Sequence, residues 1–171
     1  MSRLYRIGNH PMVTTAAPVK VTTGTAIKTM LQVTSSAATP LIVVEWGIDF
    51  DGSALATPGV VELIDTFAIP ATALTAHVAA GVQPFNESTQ VALDVALGTG
   101  ATGYAPAGAP TEGTITQTRT FDAHLVDPVN NWSLQWPLDR EPELGVSRNL
   151  RVRCTFGTAI NCLCYVIVAP S

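Results

Sequence analysis

Ile42-Val43-Val44-Glu45-Trp46-Gly47-Ile48-Asp49-Phe50 is the stretch that decides the fold, because large apolar side chains occupy every second position along it. These apolar positions are Ile42, Val44, Trp46, Ile48 and Phe50. The residues between them on the second half are Glu45, Gly47 and Asp49. Since successive side chains of a β-strand point to opposite faces of a sheet, the stretch predicts a strand with one face on a core and the other toward solvent.

The same period of two recurs along most of the chain. Further strands are predicted at residues 90–97, 120–125 and 131–138, at about residues 19–23, 26–34 and 60–67, and at residues 150–156 and 160–168. Residues 71–80 fit a short helix and a strand equally well, so their structure stays open. The chain has no internal repeat and no second composition regime, and the pattern therefore predicts one mostly β domain.

The last two predicted strands allow a register to be worked out. Cys154 lies on the apolar face of the first strand and Cys162 on the apolar face of the second. Opposed residues of a hairpin point the same way, so an odd number of loop residues is required to bring both faces to the core. We therefore predict a hairpin with the three-residue loop Gly157-Thr158-Ala159, which places Cys154 opposite Cys162.

Two stretches show no periodic pattern. Residues 1–18 are predicted to form an N-terminal arm ahead of a domain at residues 19–171, and residues 98–113 are predicted to form a long loop of Gly, Ala, Pro and Thr. Free termini and long loops become ordered when another surface holds them, so both stretches are predicted to contact neighbouring chains. The predicted contact residues are Arg3, Leu4, Tyr5, Arg6, Ile7, Tyr104, Pro106 and Pro110.

The composition is poor in charge. Asp, Glu, Lys and Arg make up 13% of the 171 residues, and 47% of the chain is hydrophobic. Because a weakly charged surface is tolerated where other molecules cover it, this composition predicts a subunit of an assembly. The net charge of −4 and the scattered Lys and Arg argue against a nucleic-acid partner. The chain shows no transmembrane stretch and no signal peptide, so we expect no membrane partner and synthesis in a cytoplasm.

Reactive side chains are few. Buried, reduced thiols are favoured for Cys154, Cys162 and Cys164, because a structural zinc site needs a fourth ligand and a cytoplasm keeps thiols reduced. A Cys154–Cys162 disulfide and a metal site are the alternatives. Asp122 and His124 are spaced as a general base and its orienting partner, but no nucleophile accompanies them, so an exposed polar strand face is favoured.

The three tryptophans admit two interpretations. Trp46, Trp132 and Trp136 fit a platform on which sugars stack, but core packing is favoured because each lies in phase with aliphatic core positions. No catalytic constellation or phosphate-binding glycine loop accompanies them. We therefore expect no enzyme, no cofactor, no bound metal and no small-molecule substrate.

Four stretches carry a resemblance to a known group of proteins. They are Gly24-Thr25-Ala26-Ile27-Lys28-Thr29-Met30-Leu31-Gln32-Val33, Val43-Val44-Glu45-Trp46-Gly47-Ile48-Asp49-Phe50-Asp51-Gly52-Ser53, Ala76-His77-Val78-Ala79-Ala80-Gly81-Val82-Gln83-Pro84 and residues 150–170. Together they resemble small β-rich virion proteins of tailed bacteriophages, and within that group the capsid decoration, or cement, proteins. The resemblance implies an all-β fold, either an antiparallel β-sandwich or a jelly-roll-like barrel.

The same resemblance implies a function without catalytic residues. A decoration protein binds the major capsid protein on the capsid exterior, forms homo-oligomers, trimers being favoured, and uses extended arms to pin neighbouring shell subunits. A protein of the phage head is made in the host cytoplasm and needs no export signal, which agrees with the N-terminal sequence. Two alternatives stay open: another virion subunit of the tail tube or minor capsid, and a carbohydrate-binding β-sandwich on a host-recognition structure. An exposed tryptophan beside polar strand residues would favour the last of these.

Overall fold

The structure is a computed structural model that describes residues 3–53, 57–106 and 110–171. Strands make up 45% of the chain and helix 2%, so the all-β prediction is confirmed. In chain order the strands are β1 Tyr5–Gly8, β2 Val21–Thr22, β3 Lys28–Thr34, β4 Leu41–Phe50, β5 Gly59–Asp65, β6 Thr75–Ala76, β7 Val82–Pro84, β8 Gly103–Tyr104, β9 Arg119–Val126, β10 Asn131–Gln135, β11 Glu143–Leu144, β12 Asn149–Thr155 and β13 Asn161–Pro170. A short 3₁₀ helix, Ala79–Gly81, precedes β7. Within the three described ranges, no helix has the length and apolarity needed to cross a membrane.

The strands form two antiparallel sheets. Sheet A has the order β10-β4-β13-β1-β7, with β11 also paired to β4 and β2 to β13. Sheet B has the order β6-β8-β3-β12-β5-β9. The sheets pack together as separate layers, so the β-sandwich is the predicted alternative that forms. Apolar side chains of both sheets fill the space between them, and each large one stabilises the fold by roughly 1.5–3 kcal/mol when fully buried.

A bulge interrupts the alternation of the stretch that decides the fold. The register of β4 against β13 shifts at Val44, so that Val43 takes the next paired position. Val43, Trp46 and Ile48 are fully buried, whereas Ile42 and Val44 are half-buried. The predicted core face is thus confirmed for Trp46 and Ile48 and wrong for Ile42 and Val44. An extra residue in one strand inverts the two faces beyond it, and the sequence pattern does not mark that residue.

The last two strands do not form the predicted hairpin. β12 lies in sheet B between β3 and β5, whereas β13 lies in sheet A between β4 and β1. Cys154 is paired with Lys28 and Val61. Cys162 is paired with Phe50, so the predicted opposition of the two cysteines is wrong. Both apolar faces do point into the core, but a core-facing pattern does not say which of two packed sheets a strand joins.

The remaining strand predictions have mixed outcomes. Those that the structure confirms, with shifted ends, are residues 19–23 as β2, 26–34 as β3, 60–67 as β5, 120–125 as β9 and 131–138 as β10. Residues 90–97 form no strand, and Val95 makes only an isolated bridge with Ser35. Residues 71–80 contain β6 and part of the 3₁₀ helix, so neither open alternative describes the whole segment.

Candidate functional site

The predicted N-terminal arm is built into the sandwich at residues 5–8. β1 is an interior strand of sheet A, paired with β13 on one side and β7 on the other. Tyr5 and Ile7 face the core and are 2% and 0% exposed. Their predicted contacts with a partner are therefore wrong, because the folded chain already covers both side chains. The alternation of Tyr5 and Ile7 with Arg6 is a short period-two pattern, and it is the signal that identifies the strand.

The other predicted arm residues differ in accessibility. Arg3 is exposed. Leu4 is half-buried and donates its backbone N–H to Oδ1 of Asn86 at 2.6 Å. Arg6 is half-buried, with its guanidinium carbon 4.8 Å from the centre of the Tyr165 ring. Arg3 is thus the exposed residue of this group, whereas Leu4 and Arg6 make contacts within their own chain.

The predicted long loop at residues 98–113 contains strand β8, and its described end, residues 110–113, is held by its own chain. Pro110 is buried, so its predicted contact with a partner is wrong. Glu112 accepts the backbone N–H of Thr29 at 2.6 Å and the Thr29 hydroxyl at 2.7 Å. The same carboxylate lies 3.2 Å from Nη1 of Arg151. These bonds order the end of the loop against sheet B without a neighbouring chain.

Arg151 makes Glu112 a strong anchor. The Arg151 side chain is fully buried, and its Nη1 also donates to the backbone carbonyl of Glu112 at 2.9 Å. Burial lowers the pKa of Arg151 to about 10, so the guanidinium stays cationic near neutral pH. A buried cation destabilises the fold by several kcal/mol unless a partner neutralises it. The Glu112 carboxylate supplies that partner.

Tyr104 and Pro106, two of the predicted contact residues, lie in a groove of about 500 Å³. The residues that line it are Pro11, Val19, Lys20, Val21, Thr22, Tyr104, Ala105, Pro106 and Asn161. We call it the apolar groove. Pro11 comes from the predicted arm, and Tyr104 and Pro106 come from the predicted loop. The structure therefore brings the two aperiodic stretches together at one surface, which no sequence spacing indicated.

Strands from both sheets position the apolar groove. Tyr104 ends β8 and is paired with Leu31 of β3. The following residue, Ala105, donates its N–H to the Met30 carbonyl at 3.0 Å, which extends this pairing. The His77 ring packs edge-on against the Tyr104 ring with centres 5.0 Å apart, and burial raises the pKa of Tyr104. Backbone pairing with β3 and contact with the His77 ring therefore hold Tyr104 in place at the groove.

The electrostatics of the apolar groove are close to neutral. Lys20 is the charged residue among those that line it, and its Nζ bonds the carboxylate of Asp51. Asp51 also accepts the backbone N–H of Asn161 at 3.1 Å. The Lys20 hydrogen bond, followed by those from Asn161, lowers the pKa of Asp51. Since the one charge is paired beside the groove, the surface favours an uncharged, apolar occupant.

Asp122 and His124 belong to a polar cluster that closes one side of the sandwich. Oδ2 of Asp122 accepts the indole N–H of Trp46 at 3.0 Å and that of Trp132 at 2.9 Å. Oδ1 lies 2.7 Å from Nε2 of His124, whose ring stacks on Trp132 with centres 3.5 Å apart. The cluster ties β9 of sheet B to β4 and β10 of sheet A.

This cluster corrects the prediction of an exposed polar strand face. The Asp122 side chain is 11% exposed, because the two indoles cover it. Among the described residues, no Ser, Thr, Cys or Tyr side chain hydrogen-bonds His124, so a nucleophile does not complete the pair. The arrangement holds two sheet edges together. In the sequence Asp122 alternates with Phe121 and Leu125, so the pattern assigned it to the polar face, and the indole partners that cover it lie on distant strands.

The three tryptophans have different surroundings. Trp46 is fully buried, as predicted for a core residue. Trp132 and Trp136 are half-buried and pack against the edge of the core. Trp136 also lines a second groove of about 410 Å³, which we call the tryptophan groove. The residues that line it are Leu4, Ile42, Val44, Asn86, Gln135, Trp136, Leu138, Asp139, Glu141 and Ala169.

The three cysteines are free and buried. Burial raises the pKa of the Cys154 thiol and of the Cys164 thiol well above the usual range, so both are protonated near neutral pH. Lys28, paired with Cys154, is itself buried, and burial lowers its pKa. Across the described ranges, no cluster of three or more His, Cys, Asp or Glu side chains is arranged to hold a metal ion.

Comparison of the chain with protein-family models, with curated proteins and with solved structures gave no match. The apolar groove and the tryptophan groove are the surface features from which we infer a function.

Proposed function

We propose that the protein is a non-enzymatic structural subunit of a virion, a decoration protein on the outside of a tailed-phage capsid. Its partners are the major capsid protein and further copies of itself, trimers being favoured. The observation that carries the proposal is the apolar groove, in which Pro11 and Tyr104 meet from stretches expected to contact neighbouring chains. The low charge of the chain supports the same proposal, because a covered surface does not need charge to stay hydrated.

The chemistry of the apolar groove suits a protein partner. Val19 is 69% exposed at the groove, although it is a large apolar residue. Tyr104 and Pro106 add rigid apolar surface, which loses little side-chain freedom when a partner binds. Covering such surface removes it from water and stabilises the complex by roughly 25 cal/mol per Å² of apolar area before the costs of association. An extended apolar segment of a shell subunit fits this site best.

Weak contacts of this kind can stabilise a shell when many of them act together. A protein that binds the assembled shell and not the free subunits shifts the equilibrium toward the shell by mass action. Copies clustered on a lattice bind several shell subunits at once, and effective concentration then strengthens a weak individual contact. The proposal therefore does not require a tight site on each chain.

Val19→Asp tests the role of the apolar groove. The variant should fold as the parent does, because Val19 is exposed, and should occupy empty phage shells less in a co-sedimentation assay. Val146→Asp is the matched control, since Val146 is also an exposed valine, at 45%, and does not line the apolar groove. Equal loss of occupancy in both variants, or none in Val19→Asp, would contradict the proposed contact. Failure of the parent chain to bind any shell would overturn the capsid assignment.

A further inference from the structure

The tryptophan groove carries polar groups that the fold does not use. In the part of the chain that the structure describes, no side-chain hydrogen bond or ion pair involves Gln135, Asp139 or Glu141. Asn86 uses its Oδ1 for the Leu4 N–H, which leaves its amide N–H groups available. The other residues that line the groove are apolar. A groove with a mostly apolar lining and a few unused polar groups is the usual form of a small-molecule site.

The indole of Trp136 differs from the other two. Trp46 and Trp132 both donate their ring N–H to Asp122, whereas the Trp136 ring N–H has no partner among the described residues. The Trp136 ring is half-buried and its N–H is not enclosed by the protein, so this donor is available to an acceptor on a ligand. Trp136 is held at the groove by its backbone, which donates to the Val44 carbonyl at 3.1 Å.

The groove contains both hydrogen-bond donors and hydrogen-bond acceptors that the fold does not use, and this combination favours one class of ligand. The groove offers donors on Trp136, Gln135 and Asn86, and acceptors on Asp139 and Glu141. Hydroxyl groups of a sugar both donate and accept, and the apolar face of a pyranose ring packs on an indole. A cationic side chain would use the carboxylates and the indole face, but it would leave the amide and indole donors without acceptors.

The charge of the groove favours neutral sugars over acidic ones. Asp139 and Glu141 are the charged residues that line it, and no Lys or Arg is among the lining residues. A sugar acid would therefore meet two carboxylates and no cation. The volume of about 410 Å³ lies within the ~300–1,000 Å³ typical of ligand sites, toward its lower end, which fits a short saccharide.

We propose that the tryptophan groove binds a neutral saccharide, with the indole of Trp136 under a pyranose ring and Gln135, Asp139 and Glu141 hydrogen-bonding its hydroxyls. The site is separate from the apolar groove, since the two share no lining residue. Saccharide binding can therefore be tested independently of shell binding. A shell-bound subunit with this site would attach its particle to a glycan-bearing surface.

The test uses the full chain and three defined probes: maltotriose, cellotriose and the chitin trisaccharide. Each is titrated to about 20 mM, a range that detects millimolar affinity, while the indole N–H signals are followed by NMR. We expect at least one probe to shift the Trp136 signal saturably and to leave that of buried Trp46 unchanged. Sialyllactose, which carries a carboxylate, should give no shift.

Variants at exposed or polar positions keep the test independent of folding. Asp139→Asn removes the charge, and Asn suits the left-handed backbone at Asp139, where φ is 68°. It and Gln135→Ala should each weaken binding about tenfold, the usual effect of losing a charge-assisted or a well-placed hydrogen bond. Asp127→Asn is the matched control, because Asp127 is exposed and does not line the groove. It should leave affinity unchanged.

The proposal is overturned if no trisaccharide shifts the Trp136 signal, or if the shift persists unchanged in Asp139→Asn and Gln135→Ala. It is also overturned if an acetylated arginine amide, titrated as a cationic probe, binds at the groove and the sugars do not.

Discussion

His77 should make the protein progressively less stable as the pH falls below neutral. The side chain is 4% exposed and packs against Tyr104, and neither ring nitrogen has a hydrogen-bond partner among the described residues. A Cβ atom placed at Gly81 would lie 2.7 Å from the His77 ring, so the ring is tightly enclosed. Protonation would therefore place a cation where no group accepts its hydrogen bonds.

The pKa of His77 gives the size of the effect. Burial, with a smaller contribution from nearby His10, lowers it from 6.5 to about 4. Above the unfolded value of 6.5, both states are neutral at this residue and stability does not change. Between the two values the unfolded chain gains a proton that the folded chain does not, so the free energy of unfolding falls as the pH is lowered. The full loss is about 3 kcal/mol, and about 2 kcal/mol of it falls between pH 7 and pH 5.

Urea unfolding of the parent chain and of His77→Phe measures this loss. Phenylalanine keeps a ring against Tyr104 and does not titrate. Between pH 7 and pH 5 the free energy of unfolding of His77→Phe should therefore fall by about 2 kcal/mol less than that of the parent chain. His77→Leu serves as a second variant if the larger ring does not fit. His124→Gln is the control, because it removes a partly exposed histidine and keeps His77. If His77→Phe loses as much stability as the parent over this interval, His77 is not the group whose protonation destabilises the fold.

Two further predictions concern the polar groups that hold the sandwich together. Asp122→Ala removes the acceptor of two indole N–H groups and should lower the free energy of unfolding by about 2–3 kcal/mol in urea titrations, whereas Asp127→Ala at an exposed turn should change it by less than about 0.5 kcal/mol. Glu112→Ala leaves the buried Arg151 without its carboxylate and should cost about 3 kcal/mol; limited proteolysis should then cut within residues 98–113, and an unchanged cleavage pattern would argue against the anchoring role.

The sequence pattern predicts the fold class well because period two depends only on which residues are apolar. It identifies Trp46 and Ile48 as core residues, and both are fully buried. The same pattern does not encode a bulge such as that at Val44, nor the choice between two sheets that share one core. The chain passes from sheet B to sheet A between β12 and β13. The predicted hairpin, with Cys154 opposite Cys162, was wrong because it placed both strands in one sheet.

The candidate sites could be predicted less well than the fold. Both grooves join residues that are far apart in the chain: Pro11 with Tyr104 in one, and Asn86 with Trp136 in the other. Their proximity follows from the strand order of each sheet, which local periodicity does not determine. Tyr104 lines the apolar groove, and its predicted contact with a partner stays a prediction. Tyr5 was assigned to a partner although its alternation with Arg6 fits a core strand.

The position of the charged side chains strengthens the proposal of an assembly subunit. Asp65 is 0% exposed and lies 3.5 Å from Arg119 and 3.2 Å from Arg148. Arg151 is also fully buried and pairs with Glu112. Several of the few charges in the chain are therefore paired within sheet B or between sheet B and its loops, so the solvated surface is poorer in free charge than the composition suggests. Large apolar side chains stand on that surface instead, Leu125 at 75% and Leu138 at 83% exposure. A surface with few free charges is suited to a protein that other chains cover.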